Sequence, residues 1–72
     1  MISSIMAKIQ LNGKKITLKS NLSILELLRK YKLSISNIAI EYNGKIIPKM
    51  KYNKKYLKNN DKIEIVHFIG GG

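Results

Sequence analysis

The sequence predicts an α+β domain in which a mixed sheet of four or five short strands packs on one main helix. Two Asn-Gly pairs, Asn12-Gly13 and Asn43-Gly44, each stand between runs of alternating apolar residues, the pattern of tight hairpins. Ile24, Leu27, Leu28 and Tyr31 recur at i, i+3, i+4 and i+7, which places them on one face of a helix. A last alternating run, Lys62 to Phe68, precedes three glycines.

The first hairpin spans Ala7 to Lys19. Ile9 and Leu11 alternate with Lys8 and Gln10, Asn12-Gly13 supplies residues that take positive φ, and Ile16 and Leu18 resume the alternation. The helix that follows has a marked start. Ser23 is placed to cap it, Glu26 three residues later completes a capping box, and Leu22 and Leu27 have the spacing of a hydrophobic staple. Leu25 widens the apolar stripe, while Arg29, Lys30 and Lys32 complement the negative end of the helix dipole. A helix of roughly nine residues does not hold alone in water, so its apolar face, Tyr31 included, is expected in the core.

Leu33 to Asn37 reads as a connection and Ile38 to Tyr42 as the next strand. Asn43-Gly44 turns the chain into Lys45-Ile46-Ile47. Pro48 cannot donate to a sheet ladder, so that strand ends there or lies at an edge. Lys49 to Lys58 is a basic, irregular stretch with Met50, Tyr52, Tyr56 and Leu57 as expected anchors. Asn59-Asn60-Asp61 is a turn, and Ile63 and Ile65 point inward from the last strand.

Seventy-two residues allow one hydrophobic core, so residues 1–72 form a single domain. The chain has no cysteine and one histidine, His67. Those counts exclude a disulfide scaffold, a thiolate metal site, a cysteine nucleophile and a histidine pair for a metal. No apolar run approaches the ~20 residues of a membrane helix, and Met1 to Met6 lack the pattern of a signal peptide.

The formal net charge of +10 invites a nucleic-acid reading. The composition argues against it. The chain has 13 Lys but 1 Arg, with 13 Ile and 7 Asn, a skew toward residues with A/T-rich codons. Phosphate binders exploit the planar fork of arginine. The lysines, including Lys49, Lys51, Lys54 and Lys55, read as a solvated surface that can also steer an acidic partner face.

After Phe68 the pattern stops at Ile69-Gly70-Gly71-Gly72. A glycine run does not belong inside a strand, and two readings stay open: a frayed end, or a tail presented as a substrate. Three residues extend roughly 10 Å. Without Cβ atoms they can thread a narrow channel and leave the last carbonyl open to a nucleophile. A free α-carboxyl, with a reference pKa of about 3.3–3.7, is ionised at neutral pH and needs activation before sulfur or an amine can attack it.

Taken in order, Ile9-Gln10-Leu11-Asn12-Gly13, Ser23-Ile24-Leu25-Glu26-Leu27-Leu28, Ile40-Glu41-Tyr42-Asn43-Gly44 with Ile46-Ile47-Pro48, Tyr52, and Asp61 through Gly72 resemble the thiamine-biosynthesis sulfur carrier family. The resemblance covers Met6 to Gly72 and implies a ubiquitin-like β-grasp fold, its last strand beside its first, with a flexible tail at 69–72. It further implies a protein co-substrate that is not itself an enzyme and binds no cofactor or metal. An E1-like adenylyltransferase would activate the Gly72 carboxylate with ATP and Mg²⁺. Sulfur derived from cysteine through a desulfurase would then leave a thiocarboxylate at Gly72, and thiazole synthase would draw that sulfur into the thiazole of thiamine. Gly70 and Gly71 would provide reach, and Phe68 and Ile69 would dock to the partners. The compartment implied is a cytoplasm or a plastid stroma. Two features depart from the family: residues 1–5 precede the usual start, with Met6 the true initiator or the five residues a short extension, and Asn60 stands where relatives often place Gly. Within the same fold, the small subunit of molybdopterin synthase and a ubiquitin-like modifier are alternatives. A small basic nucleic-acid-binding protein is the alternative of a different class.

Overall fold

The computed structural model describes residues 6–68. Strands β1 (Met6–Leu11) and β2 (Lys14–Lys19) form the first hairpin, with Ile9 opposite Ile16 and Leu11 opposite Lys14. Asn12 and Gly13 turn it with φ of 49° and 85°, the positive values a type I′ turn demands. The second hairpin joins β3 (Ile38–Tyr42) to the short β4 (Lys45–Ile46) through Asn43 and Gly44, at φ 51° and 89°. Between the hairpins lie helix α1 (Ile24–Lys30) and a 3₁₀ turn over Ile35–Asn37. A second 3₁₀ turn, Lys49–Lys51, follows Pro48, and β5 (Lys62–His67) comes last.

The strand order is β2-β1-β5-β3-β4. The last strand therefore enters the middle of the sheet, parallel to β1 and antiparallel to β3. This arrangement explains the run of alternating residues in β5. Ile63 and Ile65 face α1 in the core, while Glu64 and Val66 face out. The core joins Ala7, Ile9 and Leu18 of the first hairpin to Ile38, Ile40 and Tyr42 of β3, with Ile24, Leu27 and Leu28 of α1 fully buried against them. Each such aliphatic side chain contributes about 1.5–3 kcal/mol on burial, which is what holds a seven-residue helix too short to persist alone.

Both ends of α1 are satisfied. Ser23 Oγ accepts from Glu26 N–H at 3.1 Å while Glu26 Oε1 accepts from Ser23 N–H at 2.8 Å, the capping box expected from the sequence. The next two orphan donors are taken by the long loop before β5: Ile24 N–H bonds to Lys55 carbonyl and Leu25 N–H to Tyr52 carbonyl, each at 2.9 Å. At the far end Leu33 N–H donates to Leu28 carbonyl and Lys32 N–H to Arg29 carbonyl, with Lys32 at φ 57°. These paired bonds make a Schellman motif with lysine at the left-handed position.

Three expected core residues lie elsewhere. Tyr31 is exposed because the helix stops at Lys30 and Tyr31 is its C-cap; Leu33, drawn back by its bond to Leu28, packs against the core instead. Met50 is exposed because the 3₁₀ turn that carries it delivers Tyr52, not Met50, to the interior. Tyr56 is exposed because Lys55 to Leu57 is extended alongside Leu22 to Ile24, and alternation sends Leu57 in and Tyr56 out.

Asp61 is buried and fully engaged. It accepts from the Tyr42 hydroxyl at 2.6 Å, Asn43 Nδ2 at 3.2 Å and the Lys58 N–H at 2.8 Å. Asn60 just before it takes φ 71°, so asparagine serves at the turn where glycine was the familiar residue.

Candidate functional site at the exit of the last strand

Every candidate residue named from the sequence follows or ends β5. Phe68 lies one residue beyond the strand, its N–H donating to Asn37 carbonyl at 2.8 Å, and its ring is 58% exposed. Ile69, Gly70, Gly71 and Gly72 lie outside the described residues. His67 is exposed opposite Ile38. Among the described residues no three His, Asp or Glu side chains come together to hold a metal ion. Among the described residues no helix is long and apolar enough to cross a membrane.

The backbone at the exit is firmly placed. Asn12 N–H donates to Ile63 carbonyl at 2.9 Å, and Asn12 Oδ1 accepts from Ile65 N–H at 2.7 Å. At the strand's other end Asn43 Oδ1 accepts from Lys62 N–H at 2.7 Å, and Asn43 N–H donates to Lys62 carbonyl at 2.8 Å. The asparagine of each hairpin turn thus grips β5 through both backbone and side chain. Neither grip was read from the sequence, where the two residues figured only as turn formers.

The outer face of the sheet beside this exit has its own chemistry. Val66 is exposed opposite Ala39, and Ile46 is exposed opposite Glu41. Glu41 and Glu64 are direct cross-strand neighbours. Of the four acidic residues of the chain, Glu26 caps the helix and Asp61 belongs to the buried network, which leaves half-buried Glu41 and exposed Glu64 as the carboxylates of the outer face. Like charges opposite one another weaken a sheet. Exposed Ile46, Val66 and Phe68, with two carboxylates on β3 and β5, are residues suited to protein docking: large apolar side chains supply contact area and carboxylates set orientation. Val66 was legible in principle, being an apolar residue at an outward position of an alternating strand.

Around Tyr42 the electrostatics serve the fold. Burial pushes its phenol above the ordinary value of 10.0, and the hydrogen bond to Asp61 adds to the rise. Lys58 Nζ lies 3.3 Å from the Tyr42 oxygen, and that hydrogen bond raises the ammonium above its usual 10.5. Lys55 Nζ stands 4.6 Å from the centre of the same ring, within cation–π range.

Known proteins share both sequence and fold with this chain. Residues 6–72 match the model of the ThiS family. The chain is 43% identical over 65 residues to the sulfur carrier protein ThiS of Bacillus subtilis, an alignment spanning 89% of this chain and 98% of that one. It is 34% identical over 65 residues to a thiazole synthase of Paramagnetospirillum magneticum, covering 90% of this chain but 20% of the synthase. The crystal structure of the thiamine biosynthesis protein ThiS from Geobacter metallireducens superposes with a TM-score of 0.79 at 28% identity, over 90% of this chain and 99% of that one.

Proposed function

The chain belongs to the ThiS family, and from that premise we propose that it is a sulfur carrier of thiamine biosynthesis whose working group is the carboxylate of Gly72. The observation that carries this reading is the 43% identity to a sulfur carrier protein over 98% of that protein's length. The chain is a co-substrate on which other proteins act. An E1-like adenylyltransferase joins a Gly72 carboxylate oxygen to the α-phosphorus of ATP, with Mg²⁺ neutralising the phosphates and pyrophosphate leaving. The acyl-adenylate makes the carbonyl electrophilic where the free carboxylate is not. The terminal sulfur of a persulfide, drawn from cysteine through a desulfurase, then attacks the carbonyl and displaces AMP, and a thiol cleaves the S–S bond of the resulting acyl disulfide, leaving a thiocarboxylate at Gly72 while the thiol ends as a disulfide. Glycine at 70, 71 and 72 keeps the approach to that carbonyl clear of side chains.

Thiazole synthase is the proposed receiver of the sulfur. Supporting this, a segment similar to nearly the whole of this chain lies within a thiazole synthase polypeptide, an arrangement that raises the effective concentration of one part for the other. Phe68 and Ile69, the last side chains before the glycines, are the proposed grip, with Val66 and Ile46 continuing the contact.

The test is chemical. The chain is incubated with ATP, Mg²⁺, the cognate adenylyltransferase and a sulfur donor, and its intact mass is read. Exchange of one oxygen for sulfur at Gly72 is expected, and it disappears when Gly72 is deleted or followed by an added residue. An unchanged mass with partners that load another carrier of the family would reject the reading.

A further inference from the structure

β5 outruns the strand beside it. In the parallel register β1 ends with Leu11 opposite Ile63, while β5 continues to His67. On the β3 side the ladder persists to the end, through Ala39 opposite Val66 and the bond from Phe68 N–H to Asn37 carbonyl. On the β1 side the last contacts are those of Asn12, to Ile63 carbonyl and Ile65 N–H. Beyond them Gly13 carries the chain away into β2. Backbone groups of successive strand residues point to alternate neighbours: those of Glu64, Val66 and Phe68 point to β3, and those of Ile63, Ile65 and His67 toward β1. The Ile65 carbonyl and the His67 N–H and carbonyl therefore line an edge with no strand beside it among the described residues.

We infer that this edge receives an extended segment of the protein that takes the glycine tail, paired backbone to backbone in the line of β1. The inference rests on the carrier reading for its partner, and on the register for its mode. An unpaired strand edge is a template for one kind of occupant, another extended chain. In sequence the glycines 70–72 begin three residues after His67 and have no side chains to grip, so any hold on them has to use amides and carbonyls. Pairing that begins at His67 sets those groups in register and fixes how far Gly72 reaches. Lys14 and Lys15, exposed just past the Asn12-Gly13 turn, favour a segment bearing acidic side chains. A second copy of this chain is a poor occupant, since each copy brings a formal charge of +10 and the two repel.

Amide hydrogen exchange on the full-length ¹⁵N-labelled chain, alone and saturated with thiazole synthase, tests the pairing. The His67 amide is expected to exchange freely in the isolated chain and at least tenfold more slowly in the complex. The Glu64 and Val66 amides, already bonded to β3, are slow in both. Two variants separate backbone from side chain. His67→Pro deletes the N–H at an edge position where proline is tolerated, and should weaken the complex at least tenfold; His67→Ala keeps the N–H and should bind as the parent does. An unprotected His67 amide in a complex that has formed would overturn the inference, as would equal binding by the two variants. Protection of His67 in the free chain that grows with protein concentration would overturn it too, by giving the edge to a second copy. If His67 becomes protected yet Gly72 never acquires sulfur, the edge pairing stands and the carrier chemistry falls.

Discussion

The hydroxyl of Tyr42 donates to the buried carboxylate of Asp61 over 2.6 Å, tying the end of β3 to the turn that launches β5. Asp61→Ala leaves that hydroxyl, Asn43 Nδ2 and the Lys58 N–H without their shared acceptor. The variant is expected to lose about 2–3 kcal/mol in urea unfolding, against about 1 kcal/mol for Tyr42→Phe, which keeps the carboxylate and its other two donors.

The same tyrosine is one of three groups that make the fold sensitive to alkaline pH. Its folded pKa lies above 10.0, chiefly through burial and then through Asp61; burial alone raises that of Tyr52. A group whose folded pKa is raised binds more protons folded than unfolded above its unfolded pKa, so its contribution is complete below that pKa and lost as pH climbs through the folded one. The raised Lys58 acts in the same direction. Unfolding free energy from these three groups is expected to hold level to about pH 10 and to fall beyond it; Tyr42→Phe should shrink the fall. Circular dichroism melts between neutral and strongly alkaline pH give the measurement.

Lys32 takes φ 57° at the end of α1, a conformation in which a Cβ is strained by roughly 1 kcal/mol. Lys32→Gly should therefore stabilise the chain by about 0.5–1 kcal/mol. A lower denaturation midpoint would mean that the Lys32 side chain has a stabilising role its backbone does not reveal.

These sites show where the sequence was readable. The capping box of Ser23 and Glu26 and both Asn-Gly turns are short-range features in which the residues that form the bond are three apart or adjacent, so identity and spacing suffice. Ile63 and Ile65 were equally legible, because burial on one face leaves a period of two. Tyr31 was not: a seven-residue helix instead of nine moves one periodic residue past the end. The Asn12 bond to Ile65 spans 53 residues, and the pairing of Glu41 with Glu64 depends on strand order. Periodicity carries no information on either. At the candidate site the order of elements pointed to the exit of β5, but the open edge beside His67 required the register.

Glu64 and Glu41 stand opposite one another across the β3–β5 ladder, where like charges weaken a sheet. Glu64→Lys turns the repulsion into attraction and should raise stability by about 0.2–1 kcal/mol. If the pair orients a partner, the more stable variant will also bind thiazole synthase or the adenylyltransferase more weakly. A variant that gains stability and keeps both affinities would strip the pair of any docking role.

Phe68→Ala removes an exposed ring beyond the strand and is expected to change stability by no more than about 0.5 kcal/mol. Its effect should fall on the partners: weaker complexes and slower sulfur loading of a chain that still melts as the parent does. A melting temperature that drops with unaltered loading would return Phe68 to the fold.

The strand order also governs how the molecule is completed. The hairpins β1–β2 and β3–β4 share no ladder with one another; β5 is the piece between them. A nascent or truncated chain that stops before Lys62 holds two hairpins with a gap where the central strand belongs, and offers no continuous outer face to a partner. The outer face of the sheet is completed by the strand that leads into the glycines, so a partner that recognised that face would engage only chains in which β5 is in place.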